Sequence, residues 1–484
     1  MIDFIRAHIW TILIGLNYLL ALIAIVIILF KNINPTKTLT YILVLVFFPF
    51  LGLLVYYFFG QEYRKNKIFN RKNVLNKSII KKLSEEFTLD DNDMAKFDEF
   101  LDDKMKLVRL LYNSENTPLT RFNDVKILLN GKAKFESLFT DLNNAQHHIH
   151  LEYYILKDDN IGTELINILC DKANSGVKVR LSYDDVGSKI SAKGKRKLKE
   201  SGVEFHAFMP VLFPGFTGKL NYRNHRKIVV IDGEIGYVGG INVSDNYVNY
   251  KNGTSFWRDT HLRIVGEAVK PLQVHFLMTW DFVSNSNLKI NEKLFPTSLV
   301  KKETAVQISA SGPDTNWANI MEAIFVAINQ AEDYVYITTP YFIPNDQIIT
   351  ALQVAAKSGI DVRLIIPKAS DSWTAKYATN SYLEKLLVAQ VKVYRYCNGF
   401  IHAKTIVVDD IFSSIGTANL DYRSFNINFE INALIYNAET SIELKNQFFD
   451  DLKDCEQLEL ESWRARSGFN KLKESYSRLW SPLL

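Results

Sequence analysis

Two short stretches hold the residues with the most chemistry to offer, at one and the same spacing. The first is Asn224-His225-Arg226-Lys227-Ile228-Val229-Val230-Ile231-Asp232, followed by Gly239-Gly240-Ile241-Asn242. The second is His402-Ala403-Lys404, Asp409 and Gly416-Thr417-Ala418-Asn419. Each reads His, one residue, Lys, four residues, Asp, six residues, Gly, a small residue, one residue, Asn. At average residue usage, one copy arises by chance in such a chain with a probability on the order of 10⁻⁴. A lone histidine is most often a satisfied core residue; the repeated spacing argues against that here.

Two His, two Lys and two Asn in one cleft suit phosphoryl chemistry that needs no metal. A neutral imidazole can attack phosphorus and carry the group covalently. A second, protonated imidazole can give its proton to the leaving alcohol and later take one from the incoming alcohol. Lysines and amides stabilise charge on the equatorial oxygens. An unperturbed imidazole titrates at about 6.5, so its surroundings can set either role. Each imidazole also needs an orienting acid on its other nitrogen. Asp259 and Glu430 are the candidates, following His225 and His402 by 34 and 28 residues.

The elements that position these side chains read as β-hairpins. Asp232-Gly233 is a strong two-residue turn signal with apolar flanks. A turn there sets Ile231 opposite Glu234, Lys227 opposite Val238 and His225 opposite Gly240. An Asp409-Asp410 turn sets His402 opposite Thr417. His and Lys, two apart, then share a strand face. Gly240 and Thr417 are small enough for close approach, and Asn242 and Asn419 lie just beyond. Asp232 and Asp409 complete the two motifs at the turns, as organisers of the hairpins rather than proton carriers.

From Val125 the chain alternates strands and helices, twice over. Ala145–Ile155 resembles Ala331–Tyr341, Ser175–Leu181 resembles Ser358–Leu364, and the motifs follow at offsets of 186, 183 and 177 residues. The expected fold class is α/β, with two pseudo-symmetric lobes sharing one central cleft. Gly176 and Gly359 read as helix ends leading into strands.

Two apolar runs precede the lobes. Ile9–Phe30 and Leu39–Gly60 are each 22 residues without a charge, enough to span a bilayer. The polar loop between them holds Pro35, so the pair reads as a transmembrane helical hairpin; Pro49 and Gly52 lie inside the second span. Residues 61–82 hold eight Lys or Arg against one Glu, and the loop between the spans only two lysines. That bias places both termini and the lobes in the cytoplasm. The expected organisation is 1–60 hairpin, 61–120 linker with helices, 121–300 first lobe and 301–484 second lobe.

Composition narrows the rest. The 484 residues are 47% hydrophobic, with a net charge of only +4. That is no nucleic-acid binder's excess. Cys170, Cys397 and Cys455 form neither a disulfide framework nor a metal cluster.

The motifs resemble the HKD signature of the phospholipase D superfamily. The likeness extends along nearly the whole chain to bacterial cardiolipin synthases. It is carried by the two spans, Arg223–Lys227, Trp257–Arg263, Ser311–Asp314, Thr339–Pro344, Gly399–Lys404 and the closing Ser481-Pro482-Leu483-Leu484. It implies phosphatidyl transfer between two phosphatidylglycerol molecules, giving cardiolipin and glycerol through a phosphohistidine, with no metal or other cofactor. It implies lipid rather than nucleic-acid partners, and a multi-pass protein of the bacterial cell membrane. It supports Asp259 and Glu430 as partners of the histidines. One departure is Thr417, where the second motif of the family commonly has Ser. His225 is favoured as nucleophile and His402 as acid/base. Phe213, Phe216 and Tyr222 are candidates for the membrane interface. The alternatives are a membrane-bound hydrolase, or a transferase using another acceptor.

Overall fold

The computed structural model describes residues 2–30, 35–53, 104–115, 117–210, 222–248, 256–284, 292–315 and 317–484. The chain forms two compact units, Met1–Arg71 and Lys72–Leu484.

In the first unit, α1 (Ile2–Phe30) contains one apolar stretch, His8–Phe30, of 23 residues. That is long enough to cross a bilayer core of about 30 Å. Helix α2 (Pro35–Phe47) opens on a proline, whose missing N–H costs nothing in a first turn. Ala21, Ala24, Ile28 and Leu45 form the contact between the two helices. The second expected span is not one uninterrupted helix. It breaks at Phe48, before Pro49, because proline cannot continue the hydrogen-bond ladder. The chain then doubles back so closely that a Cβ on Gly52 would lie 2.7 Å from the Leu45 Cα. Residues 54–60, the basic run 61–82, Phe213 and Phe216 lie outside the described residues.

The second unit begins, in its described part, with α3 (Met105–Glu115). Its buried face, Met105, Leu107, Val108 and Leu111, belongs to the core of the second half of the fold.

The first half runs β1 (Leu119–Leu129), α4 (Asn130–Asn144), β2 (His148–Tyr153), α5 (Asn160–Asn174), β3 (Lys178–Asp184), α6 (Ala192–Glu200) and β4 (Glu204–Phe208). It continues with β5 (Ile228–Ile231), β6 (Ile235–Gly239), β7 (Trp257–Arg258), β8 (Thr260–Gly266) and α7 (Val269–Ser284). The second half repeats the plan. Its elements are β9 (Glu303–Ser311), α8 (Asn319–Asn329), β10 (Tyr334–Thr338), β11 (Phe342–Ile343), α9 (Asp346–Lys357), β12 (Asp361–Pro367), α10 (Trp373–Val388), β13 (Lys392–Tyr396) and β14 (Phe400–Ile401). Then come β15 (Thr405–Val408), β16 (Phe412–Gly416), β17 (Leu420–Asp421), α11 (Tyr422–Asn426), β18 (Glu430–Tyr436) and α12 (Ala438–Leu452). The chain closes with β19 (Cys455–Gln457), α13 (Leu460–Arg464) and α14 (Gly468–Arg478).

The duplication is explicit in the strand order. Outward from β1 the order is β8-β6-β5-β2-β3-β4; outward from β9 it is β18-β16-β15-β10-β12-β13, with β19 appended. Strands β1 and β9 pair antiparallel, Leu119 with Gln307, so the halves share one continuous sheet. Each half has its own apolar core, and a third cluster bridges them through Ile127, Leu262, Val306 and Ile431. The helix-ending glycines behave as expected: Gly176 and Gly359 have φ of 95° and 99°, a left-handed region that favours glycine.

Candidate active site

Each motif sits on a hairpin, in a register one residue away from that expected. Ile231 pairs with Ile235 and Ile228 with Val238; Val408 pairs with Phe412. The turn residues Asp232 and Gly233 have φ of 55° and 73°, and the Glu234 N–H donates to Ile231 O as in a two-residue turn. Glu234 is then an extra, bulged residue, and Ile411 repeats this in the second copy. His225 and Lys227 precede β5 in an extended run, so His225 has no ladder partner in β6.

Asp232 and Asp409 lie at the far ends of these hairpins. Seven residues of extended chain put them about 20 Å from their histidines. Asp232 accepts the N–H groups of Gln146, His147 and His148 at 2.7–2.9 Å. Asp409 accepts those of Glu332, Asp333 and Tyr334, each at 3.0 Å. They hold the start of β2 and of β10. These contacts are with backbone N–H groups at the strand starts, apart from the imidazoles.

The histidines take their acids from the opposite halves. His225 Nδ1 lies 2.8 Å from Glu430 Oε2, and His402 Nδ1 lies 2.8 Å from Asp259 Oδ2. The sequence reading gave each histidine the acid that follows it in its own half. Short parallel pairings between the halves override that. Asn224 bridges to Phe429, and the His225 N–H donates to Phe429 O at 2.9 Å. Strand β14 pairs with β7, and the His402 N–H donates to Arg258 O at 2.7 Å. Each histidine thus emerges beside the other half's acid.

The two acids are seated differently. A Cβ on Gly240 would fall 2.2 Å from Asp259 Oδ1, so the acid occupies the volume a side chain would need. At the equivalent position the Thr417 hydroxyl donates to Glu430 Oε2 at 2.6 Å, and Asn428 Nδ2 donates to Oε1 at 3.3 Å. Burial alone would raise the Glu430 pKa. The charge and hydrogen bond of His225, the Lys227 charge and the Thr417 hydroxyl outweigh it and hold the carboxyl low.

Burial also governs the bases. His402 is brought down to about 3 by desolvation and the Lys404 charge, against Asp259. His225 is lowered by desolvation, against Glu430. Burial takes Lys227 to about 7 and Lys404 to about 8. Each lysine donates to the carbonyl of its own histidine at 2.6 Å. With Nδ1 given to a carboxylate, each imidazole keeps Nε2 for a reacting atom.

Both imidazoles line one cavity of about 370 Å³, together with Asn242 and Asn419. Asn242 accepts the Ile155 N–H and donates to the Tyr247 hydroxyl. Asn419 donates to Asp421 at 2.9 Å. Tyr154 meets His225 edge-on, and Tyr247 meets His402. The walls are chemically unlike. Arg223, backed by buried Asp184 at 3.4 Å, comes from the segment that carries His225; Asp371, which accepts from the Tyr341 hydroxyl at 2.6 Å, comes from the second half. In the repeat, Phe400 stands where Arg223 does and Pro367 where Asp184 does. Sequence reasoning missed Asp184, Asp371, Asn428, Tyr154 and Tyr247. The one available signal was the Asp184-Asp185 pair at the carboxyl end of a buried strand, where α/β clefts open.

A family model described as cardiolipin synthase, PLD-like domain, matches residues 138–280 and 324–452. A cardiolipin synthase of Alkalihalophilus pseudofirmus is 42% identical over 461 residues, covering 95% of this chain and 91% of that one. The chain belongs to the cardiolipin synthase family. Another relative, the cardiolipin synthase of Clostridium perfringens, is 39% identical over 93% of this chain and 95% of its own. A phospholipase D-nuclease N-terminal model covers 19–61. Among solved structures, phosphatidylserine synthase of Haemophilus influenzae superposes with a TM-score of 0.61 at 14% identity, over 78% of this chain and 100% of that one. At that identity the likeness shows that the cardiolipin synthase-type chain shares its fold.

Proposed function

We propose that the protein is a cardiolipin synthase that moves a phosphatidyl group from one phosphatidylglycerol to the headgroup hydroxyl of another. The observation that carries this reading is one cavity lined by two imidazoles, each backed by the other half's carboxylate and flanked by a buried lysine. The near full-length identity to cardiolipin synthases supports the substrate.

The steps follow from the geometry. The neutral Nε2 of His225 attacks phosphorus. The bond from phosphorus to the donor's glycerol oxygen breaks, and glycerol leaves with a proton from His402. The incoming headgroup hydroxyl then gives its proton to His402 and attacks phosphorus. The P–N bond breaks and His225 is restored. Glu430, held ionised, offsets the positive charge that the ring acquires on phosphorylation; the lysines offset charge on the phosphoryl oxygens. The phosphate's own charge raises the His402 pKa on binding and supplies the protonated state for the first step. A second reading exchanges the histidines. Burial lowers His402 too, to about 3, so that ring is also a neutral base.

The reading extends to topology. Two crossings, the second with its bend at Phe48 opened out in the membrane, put residues 61–82 and both termini in the cytoplasm, as the excess of Lys and Arg after the second apolar run favours.

The test is purified protein in phosphatidylglycerol vesicles, with lipid products and released glycerol quantified. Cardiolipin and glycerol in equal amounts are expected, and none from His225→Ala. Phosphatidic acid as the main product would replace the transferase by a hydrolase.

A further inference from the structure

Helix α14 is amphipathic with its apolar side turned outward. Its inward residues are polar: Glu474 is 3% exposed and Ser477 is fully buried. Glu474 is paired with Arg466 through both carboxylate oxygens, at 2.7–3.1 Å. Phe469, Leu472 and Tyr476, with Leu479 and Trp480 in the turn just beyond, all face out; Leu472 is 64% and Leu479 76% exposed. At about 100° per residue the three helical ones occupy a single stripe about 60° wide. A surface helix of a globular protein arranges its residues the other way round.

The stripe continues toward the active-site cavity. Helix α14 packs against α10, whose first residue, Trp373, is 53% exposed. Ser372 and Ala375, on either side of Trp373, line the cavity, as does Leu484 beyond α14. A basic group borders the stripe: Lys473 Nζ lies 4.3 Å from the Phe469 ring centre. Aromatic and leucine side chains bordered by a cation suit an anionic lipid surface, where the rings lie at headgroup level and the cation meets phosphate.

The geometry points to the outer face of α14, with Trp373, as an interfacial membrane-binding surface that seats the cavity mouth on the bilayer holding its substrate. The lipid substrate comes from the function proposed above, and the choice of a lipid occupant rests on that reading. The surface is a contact additional to the N-terminal apolar helix. It lets a lipid headgroup enter the cavity while its acyl chains stay in the bilayer.

The test uses the full chain with Cys397→Ser, reconstituted in phosphatidylglycerol vesicles and nitroxide-labelled at Leu472→Cys, Leu479→Cys or, as control, Lys199→Cys. Labels at 472 and 479 are expected to be about tenfold more accessible to oxygen, relative to a water-soluble nickel chelate, than the label at 199. Equal ratios at all three would overturn the surface. So would protection of 472 and 479 from both reagents, which is the signature of covering protein. A second arm compares Leu472→Asp/Leu479→Asp with the parent. Transfer on long-chain lipid in vesicles is expected to fall about tenfold, and transfer on short-chain, monomeric lipid to stay unchanged. Equal losses on both would also overturn it. The label depth needs no turnover, so failure of the proposed activity and failure of this surface give different results.

Discussion

Glu430→Gln tests the crossed pairing and the division of labour together. The substitution keeps shape. The amide oxygen can stay at the Oε2 position, 2.8 Å from His225 Nδ1 and 2.6 Å from the Thr417 hydroxyl. The new NH₂ then faces Asn428, whose Oδ1 has no partner among the described residues and can turn to accept it. What is lost is the negative charge. With the phosphorylated ring's charge about 4 Å from the carboxylate and an effective dielectric near 20, that interaction is worth about 4 kcal/mol. This corresponds to a loss of about 10³-fold in rate. Asp259→Asn removes the same support from His402. The assay is single-turnover release from two donors, phosphatidylglycerol and a phosphatidyl p-nitrophenyl ester, whose leaving group needs no proton. If His225 attacks, Glu430→Gln slows both donors about 10³-fold. Asp259→Asn slows the glycerol donor alike but the nitrophenyl donor by less than about tenfold. The reverse pattern would exchange the two histidines. Equal losses on both donors from both variants would refute the assignment of one acid to each role.

Three further outcomes follow from the same geometry. Gly240→Ala, whose Cβ would meet Asp259 Oδ1 at 2.2 Å, is expected to cost about 2 kcal/mol of stability and most of the activity; thermal melting and turnover check this. Asp232→Ala strips three N–H groups of their acceptor and is expected to lower stability by about 2 kcal/mol, while the folded fraction keeps its turnover within about threefold. Lys227→Met is expected to abolish transfer yet raise the melting temperature at pH 6. Burial carries this lysine to about 7 in the folded state against 10.5, so the unfolded chain binds the extra proton between those values. Wild-type stability therefore rises with pH from about 7 to about 10.5, and the penalty is fully present below 7. Melting curves of the two proteins should converge as pH approaches 10.

Much of the site was legible because its signals are local. His225 and Lys227, or His402 and Lys404, lie two residues apart, and an extended backbone puts such a pair on one face whatever surrounds it. Asp232-Gly233 and Asp409-Asp410 accept positive φ, so the turns declare themselves. The repeat declared the matching strand order, since similar sequences fold alike. The register was less secure. Whether Glu234 pairs or bulges depends on packing that no two-residue signal contains, and a slip of one residue changes every partner.

The sequence by itself determined the two motifs, the turns that carry them, the long apolar helix and the inventory of acids that serve the imidazoles. Only the tertiary structure decided which acid serves which imidazole. That choice depends on β1 meeting β9 and on two short parallel pairings between segments 143 and 205 residues apart. It also decided that the outer side of α14 is the apolar one. Periodicity tells that a helix has two faces; only the buried Arg466–Glu474 pair, solvated better by the protein than by an apolar core, tells which of them turns inward.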